Sequence, residues 1–134
     1  MPRSIRTHAS RPVSSMRTHV VNAVIPNGET ITGVIDLGGG ARRIHGIVMP
    51  AVWTAAALTF LVSVDGVRWL PLRDGTADVE IAAAGGATDD TAFALANHAA
   101  LAGWPQVVIQ SGTHALPVAQ VAERTLEVLT VEWT

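Results

Sequence analysis

The chain of 134 residues contains no cysteine, no lysine and no tyrosine. Without cysteine there is no disulfide framework, no thiolate metal site and no cysteine nucleophile. Without lysine, P-loop and Schiff-base chemistry are excluded, because each needs that amine. Long apolar runs are also missing: none reaches the roughly 18 to 20 residues that a bilayer-spanning helix needs, so a soluble protein is expected. The first residues lack the apolar segment of a secretory signal. Their arginine- and serine-rich composition is that of a transit peptide, but Pro2 and Pro12 interrupt the amphipathic helix such a peptide forms.

What the chain does have is an apolar content of nearly half, diluted by alanine. Hydrophobic residues make up 49% and charged residues only 15%, which excludes wholesale disorder. Alanine buries little surface, so the core must come from Val, Ile, Leu, Phe and Trp. The net charge of -2 is unevenly placed. Arg3, Arg6, Arg11 and Arg17 occur near the start with no acid among them, whereas the rest of the chain is acidic. The expected organisation is an extended basic N-terminal arm, residues 1–18, followed by one folded domain, residues 19–134.

Within that domain, short runs rich in β-branched residues alternate with turn residues. They are HVVNAVI (19–25), TITGVIDL (30–37), RIHGIVM (43–49), LTFLVSV (58–64), VRWLPL (67–72), ADVEIA (77–82), TAFAL (91–95), PQVVIQS (105–111) and RTLEVLTVEW (124–133). Such spacing predicts an all-β sandwich or barrel. Across LTFLVSVDGVRWL, Leu58, Phe60, Val62 and Val64 alternate with Thr59, Leu61 and Ser63, a period of 2 rather than 3.6. Asp65-Gly66 between the two runs predicts a two-residue hairpin loop that sets Val62 opposite Trp69 and buries Trp69. TDDTAFALANHAALAG fits either a capped helix or a short strand followed by a helical turn. Connections too long for a simple meander favour a jelly-roll-like antiparallel β-sandwich.

Few residues form a pattern that carries chemistry. Histidines 8, 19, 45, 98 and 114 are scattered, with no pair at helical metal-site spacing. Ser111 and His114 lie close in sequence, but no nucleophile elbow surrounds them. Asp89-Asp90 could bind calcium only in an oxygen-rich loop, and their neighbours are alanine and glycine. LGGGARR lacks phosphate-loop spacing and leads into a strand. No catalytic residue, metal or cofactor is therefore expected, and the protein is expected not to be an enzyme. Trp53 and Trp104 adjoin strand entries, where they would either form a stacking platform or plug the end of a sandwich. The arm arginines suit an acidic protein surface; with no aromatic among them, specific nucleic-acid recognition is unsupported.

The blocks VIDLGG…RIHGIVMPAVWTAAALTFLVSVDGVRWLPL and GWPQVVIQSGT…PVAQVAERTLEVLTVEW resemble a group of small virion proteins of tailed phages and prophages. The resemblance spans roughly residues 30–132 and leaves the arm uncovered. It implies virion association, hence assembly in a bacterial cytoplasm, and carries no catalytic motif. It points to a capsid decoration (cement) or head-fibre base protein contacting the major capsid protein or other virion proteins. Arg3, Arg6, Arg11, Arg17, Trp53 and Trp104 are then the candidate partner-binding residues. A homo-oligomer is expected, by analogy a trimer, with no membrane partner. The alternative is a tail or fibre module that binds host-surface glycans through Trp53 and Trp104.

Overall fold

Alternation of apolar and polar residues produces eleven strands in a computed structural model that describes residues 16–82, 90–96 and 98–133. Residues 1–15, with Arg3, Arg6 and Arg11, lie outside the described residues, as does Asp89. In chain order the strands are β1 (Met16–Ile25), β2 (Ile35–Asp36), β3 (Arg42–Met49), β4 (Leu58–Ser63), β5 (Leu70–Pro71), β6 (Arg73–Asp74), β7 (Ala77–Asp78), β8 (Glu80–Ile81), β9 (Thr91–Ala94), β10 (Gln106–Ser111) and β11 (Arg124–Trp133).

Two antiparallel sheets form the sandwich. The first has the order β1-β11-β3-β9; the second has β2-β10-β4-β5, with β8 also pairing β4, and β6-β7 makes a separate ribbon. The pairings nest. β1 pairs with β11, β2 with β10, β3 with β9, and β4 with β5 and β8. First joins last and second joins second-last, as when one long hairpin is rolled into two layers, which is the jelly roll expected from the sequence.

The core lies between the layers. In β11, Arg124, Leu126, Val128 and Thr130 are buried while Thr125, Glu127 and Leu129 are exposed, so one face points inward from Arg124 to Thr130. Opposite it, Leu58, Phe60 and Val62 of β4 and Val107 and Ile109 of β10 supply the inner face of the second sheet. Trp53 joins this core at 8% exposure.

The Asp65-Gly66 turn corrects one expectation. Strands β4 and β5 do pair as a hairpin, but in the register Leu61↔Pro71 and Val62↔Leu70. Side chains close a wider loop. Ser63 Oγ accepts N–H bonds from Asp65 at 3.3 Å and Gly66 at 2.8 Å, and Asp65 Oδ1 accepts from Val67 at 2.9 Å and Arg68 at 3.0 Å. The Arg68 and Val67 amides, then the Ser63 hydroxyl, hold the Asp65 carboxyl below its usual range. A one-residue shift exchanges the faces of a strand. Trp69 is accordingly half-buried and outside the core, Val67 is 83% exposed, and Leu72 takes the buried position.

Other boundaries also move. β1 starts at Met16, so Met16, Arg17 and Thr18, counted with the arm in the sequence, pair with Trp133, Glu132 and Val131. TITGVIDL contributes only β2 and a bridge from Ile31 to Gln110. The ambiguous 88–103 stretch adopts its strand-then-turn reading, β9 followed by a 3-10 turn at His98–Leu101. Among the described residues no helix is long and apolar enough to cross a membrane.

Candidate functional site

Among the described residues, those singled out in the sequence, Arg17, Trp53 and Trp104, are not brought together into one site. Trp53 is buried and its indole N–H donates to the Ala56 carbonyl at 3.3 Å. Trp104 is half-buried against the core, with its indole N–H bonded to the Ala100 carbonyl at 2.9 Å. Trp53 is therefore packed into the core and builds no exposed platform, while Trp104 has one side against the core and the rest open. Arg17 is exposed on β1, opposite Glu132 in register. Glu132 itself engages His19 Nε2 at 3.2 Å and Arg42 Nε at 3.6 Å.

The residues that chemistry would have recruited are occupied structurally. Ser111 Oγ accepts a bond from Gln120 Nε2 at 2.8 Å, while His114 Nδ1 lies 2.8 Å from Gln110 Oε1. Asp90 Oδ1 accepts the Ala51 N–H at 2.9 Å and so ties two loops. Among the described residues no group of three or more His, Asp or Glu is placed to hold a metal ion.

Gln120 is the hub of a polar interior that the sequence did not signal. It is fully buried; its Oε1 accepts from Thr54 N at 2.9 Å and Arg124 Nε at 3.1 Å, and its Nε2 also donates to the Thr54 carbonyl at 3.0 Å. Its backbone N–H donates to the Glu29 carbonyl at 3.0 Å, and its carbonyl accepts from Gly28 at 2.8 Å. Through its side chain and backbone this one residue ties the loop at Thr54, the turn at Gly28–Glu29 and the strand ends at Ser111 and Arg124. Arg124, 8% exposed, is solvated by this amide and by Thr54 Oγ1 at 3.4 Å. Buried polar groups need such partners, and nothing in the isolated letters Q and R shows that these two will be inside.

The outer face of the first sheet is different: open and apolar. A row of residues crosses all four strands, from Val20 to Leu129, Gly46 and Ala94 in direct register. Next to it runs Asn22, Glu127, Val48 and Ala92. Val20 is 65% exposed and Leu129 38%. Around Gly46 the surface dips into a groove of 190 Å³ walled by Val48, Ala92, Ala94 and Leu129. Two features create it. The register slips between Leu129/Thr130, which face Gly46 and Ile44, leaving His45 as the extra residue of a bulge. That slip lets Ile44 and Ile47 both point inward. Gly46 also brings β9 close, since a Cβ there would sit 3.1 Å from the Phe93 carbonyl.

His45 borders the groove and stacks on His98, with ring centroids 4.2 Å apart and planes inclined by 23°. His45 Nε2 and His98 Nδ1 are buried without a hydrogen-bond partner among the described residues. Desolvation first, then the nearby His98 and Arg43, push the His45 pKa below its ordinary 6.5. The neutral form suits an apolar rim. The sequence contained the small residues Gly46, Ala92 and Ala94, but only pairing shows that they face one another.

No known protein family matches the chain, and no curated protein does. Among solved structures it is similar to the crystal structure of the SPBc2 prophage-derived protein YomS, at 10% identity over 91% of this chain and 97% of that one, with a TM-score of 0.49. A likeness at that level carries no functional weight.

Proposed function

We propose that this is a structural protein of a tailed-phage or prophage virion, attached to the coat lattice as a head decoration (cement) or head-fibre base protein. The observation that carries the reading is the open apolar row Val20–Leu129–Gly46–Ala94 on a sheet whose inner face is already fully used. Contiguous exposed apolar surface on a small domain marks an interaction face. The sequence resemblance to small virion proteins supplies the setting. Arg3, Arg6, Arg11 and Arg17 add positive charge that suits an acidic coat surface. The glycan-binding alternative finds no support in the position of Trp53.

The test is fractionation of virions into heads and tails after prophage induction, followed by immunodetection. The protein is expected on heads. Its absence from particles, or its presence on tails alone, overturns the reading. Removing residues 1–15, which leaves β1 whole, should reduce head occupancy and the sensitivity of attachment to salt.

A further inference from the structure

The long strand β1 lies at the edge of the first sheet and spans ten residues, Met16–Ile25. Two hydrogen bonds fix which way its backbone groups point. The Val24 carbonyl faces away from β11, because it accepts the Gly33 N–H at 3.3 Å; the His19 carbonyl faces β11, where Thr130 Oγ1 donates to it at 3.3 Å. Backbone groups alternate in direction along a strand, so Met16, Thr18, Val20, Asn22 and Val24 present theirs to the outer edge. Among the described residues the Gly33 bond is the sole backbone bond to reach that edge. Between Thr18 and Asn22 the edge is unprotected: β1 contains no proline or lysine and its register with β11 is unbroken, while its one arginine, Arg17, and the Gly33 cover lie towards its two ends.

We propose that a second copy of this chain occupies the edge, pairing β1 with β1 antiparallel about a two-fold axis through Val20. The argument is self-complementarity. The outward residues read Met16, Thr18, Val20, Asn22, Val24, which is apolar, polar, apolar, polar, apolar in either direction. Centring on Val20 therefore sets Val20 against the partner's Val20 and Thr18 against the partner's Asn22, each matched in polarity. The apolar row Ala94–Gly46–Leu129–Val20 then continues without a break into the second subunit, giving one eight-stranded sheet.

A groove takes the strand's far end. Gly33 covers the edge beside Val24, so backbone pairing stops at Asn22. At that point Val24, Pro26, Gly33 and Val34 line a groove of 320 Å³. The same register brings the partner's Met16, 54% exposed in the single chain, to its mouth. Charge does not oppose the pairing. Each Arg17 faces the partner's Ala23, which leaves the two guanidinium-bearing residues about 20 Å apart along the strands, beyond the screening length at ordinary salt. An isologous interface of this kind closes a dimer, not a trimer. The inference does not depend on the proposed function, because it is tested on the purified chain alone.

The chain has no cysteine of its own, so single engineered cysteines report the register. In a hydrogen-bonded antiparallel pair opposite Cα atoms lie about 5.5 Å apart, within disulfide reach. Val20→Cys is expected to form a disulfide dimer, twice the 14.0 kDa chain mass, under mild oxidation. Thr18→Cys, whose two copies would lie about 13 Å apart, should cross-link slower by at least about tenfold. Light scattering of the full chain should give a dimer whose thermal midpoint rises with protein concentration, and Val20→Lys should shift it to a monomer with a cooperative melt that no longer depends on concentration. A monomer at every concentration, a trimer, or equal cross-linking of the two cysteine variants overturns the proposal. So does a full chain that is monomeric but dimerises once residues 1–15 are removed, since those residues would then be the occupant of the edge.

Discussion

The two sheets share a core but turn opposite characters outward. The first sheet is built from long strands, of eight to ten residues in β1, β3 and β11, and its outer face is open, with an apolar row beside a mixed one that holds Asn22 and Glu127. The second rests on two six-residue strands, β4 and β10, and its outer face is more closed, with the polar pairs Thr59–Gln110 and Ser63–Gln106 on either side of Leu61–Val108. There Thr59, Ser63 and Gln110 are buried. They bond to one another and to the loops: Thr59 Oγ1 donates to the Gly112 carbonyl at 2.7 Å, and Gln110 Oε1 receives the His114 ring. Thr59, Ser63 and Gln110 thus meet partners within the molecule, although His114 Nε2 is buried without one among the described residues. The open row Val20–Leu129–Gly46–Ala94 has no such cover, and this difference is what the proposed attachment rests on.

The comparison can be broken most severely at the shared core. Phe60 is fully buried, and Phe60→Ala is expected to cost about 3–5 kcal/mol in denaturant unfolding, disabling both faces together. The closed face should be the next most sensitive. Gln110→Leu removes the acceptor of His114 and a neighbour of Thr59; stranding buried polar groups costs about 1–3 kcal/mol, measurable as a lower urea midpoint at unchanged slope. On the open face, Gly46→Ala puts a methyl against the Phe93 carbonyl. A loss of about 1 kcal/mol is expected as β9 gives way, together with a shallower groove and weaker capsid attachment.

The smallest effect is expected from pH. Burial lowers the His45 pKa below 6.5 in the folded chain, whereas the unfolded chain titrates at that value. On acidification the unfolded state therefore takes up its proton first. The stability contributed by neutral His45 is complete above 6.5 and is lost as pH falls from there through the folded value. Urea midpoints compared at about pH 7.5 and about pH 5.5 should show this decline, and His45→Gln should flatten it. An unaltered slope in that variant would assign the pH dependence elsewhere.

Much of the architecture was legible because strands write their burial into a two-residue period. β3, β4, β9, β10 and β11 begin and end within a residue or two of the runs RIHGIVM, LTFLVSV, TAFAL, PQVVIQS and RTLEVLTVEW. The candidate site was far less legible. Val20 and Leu129 look in sequence like any other core-forming residues, and the row they form joins strands separated by more than a hundred positions. Trp53 looked available for contact because a tryptophan beside a strand entry gives no sign of which way its ring will turn.

The sequence by itself determined the class of this protein: an all-β sandwich, rolled rather than meandering, with no sulfur or lysine chemistry. Local patterning suffices for that, since alternation and turn residues act between near neighbours. Only the tertiary structure decided the hairpin register, the bulge at His45 and which sheet face stays open. The last two depend on contacts between distant segments, β11 against β3 and the loops folded over β4 and β10; the register depends on side-chain bonds from Ser63 and Asp65 to the adjacent 65–68 backbone, which an alternation pattern does not show.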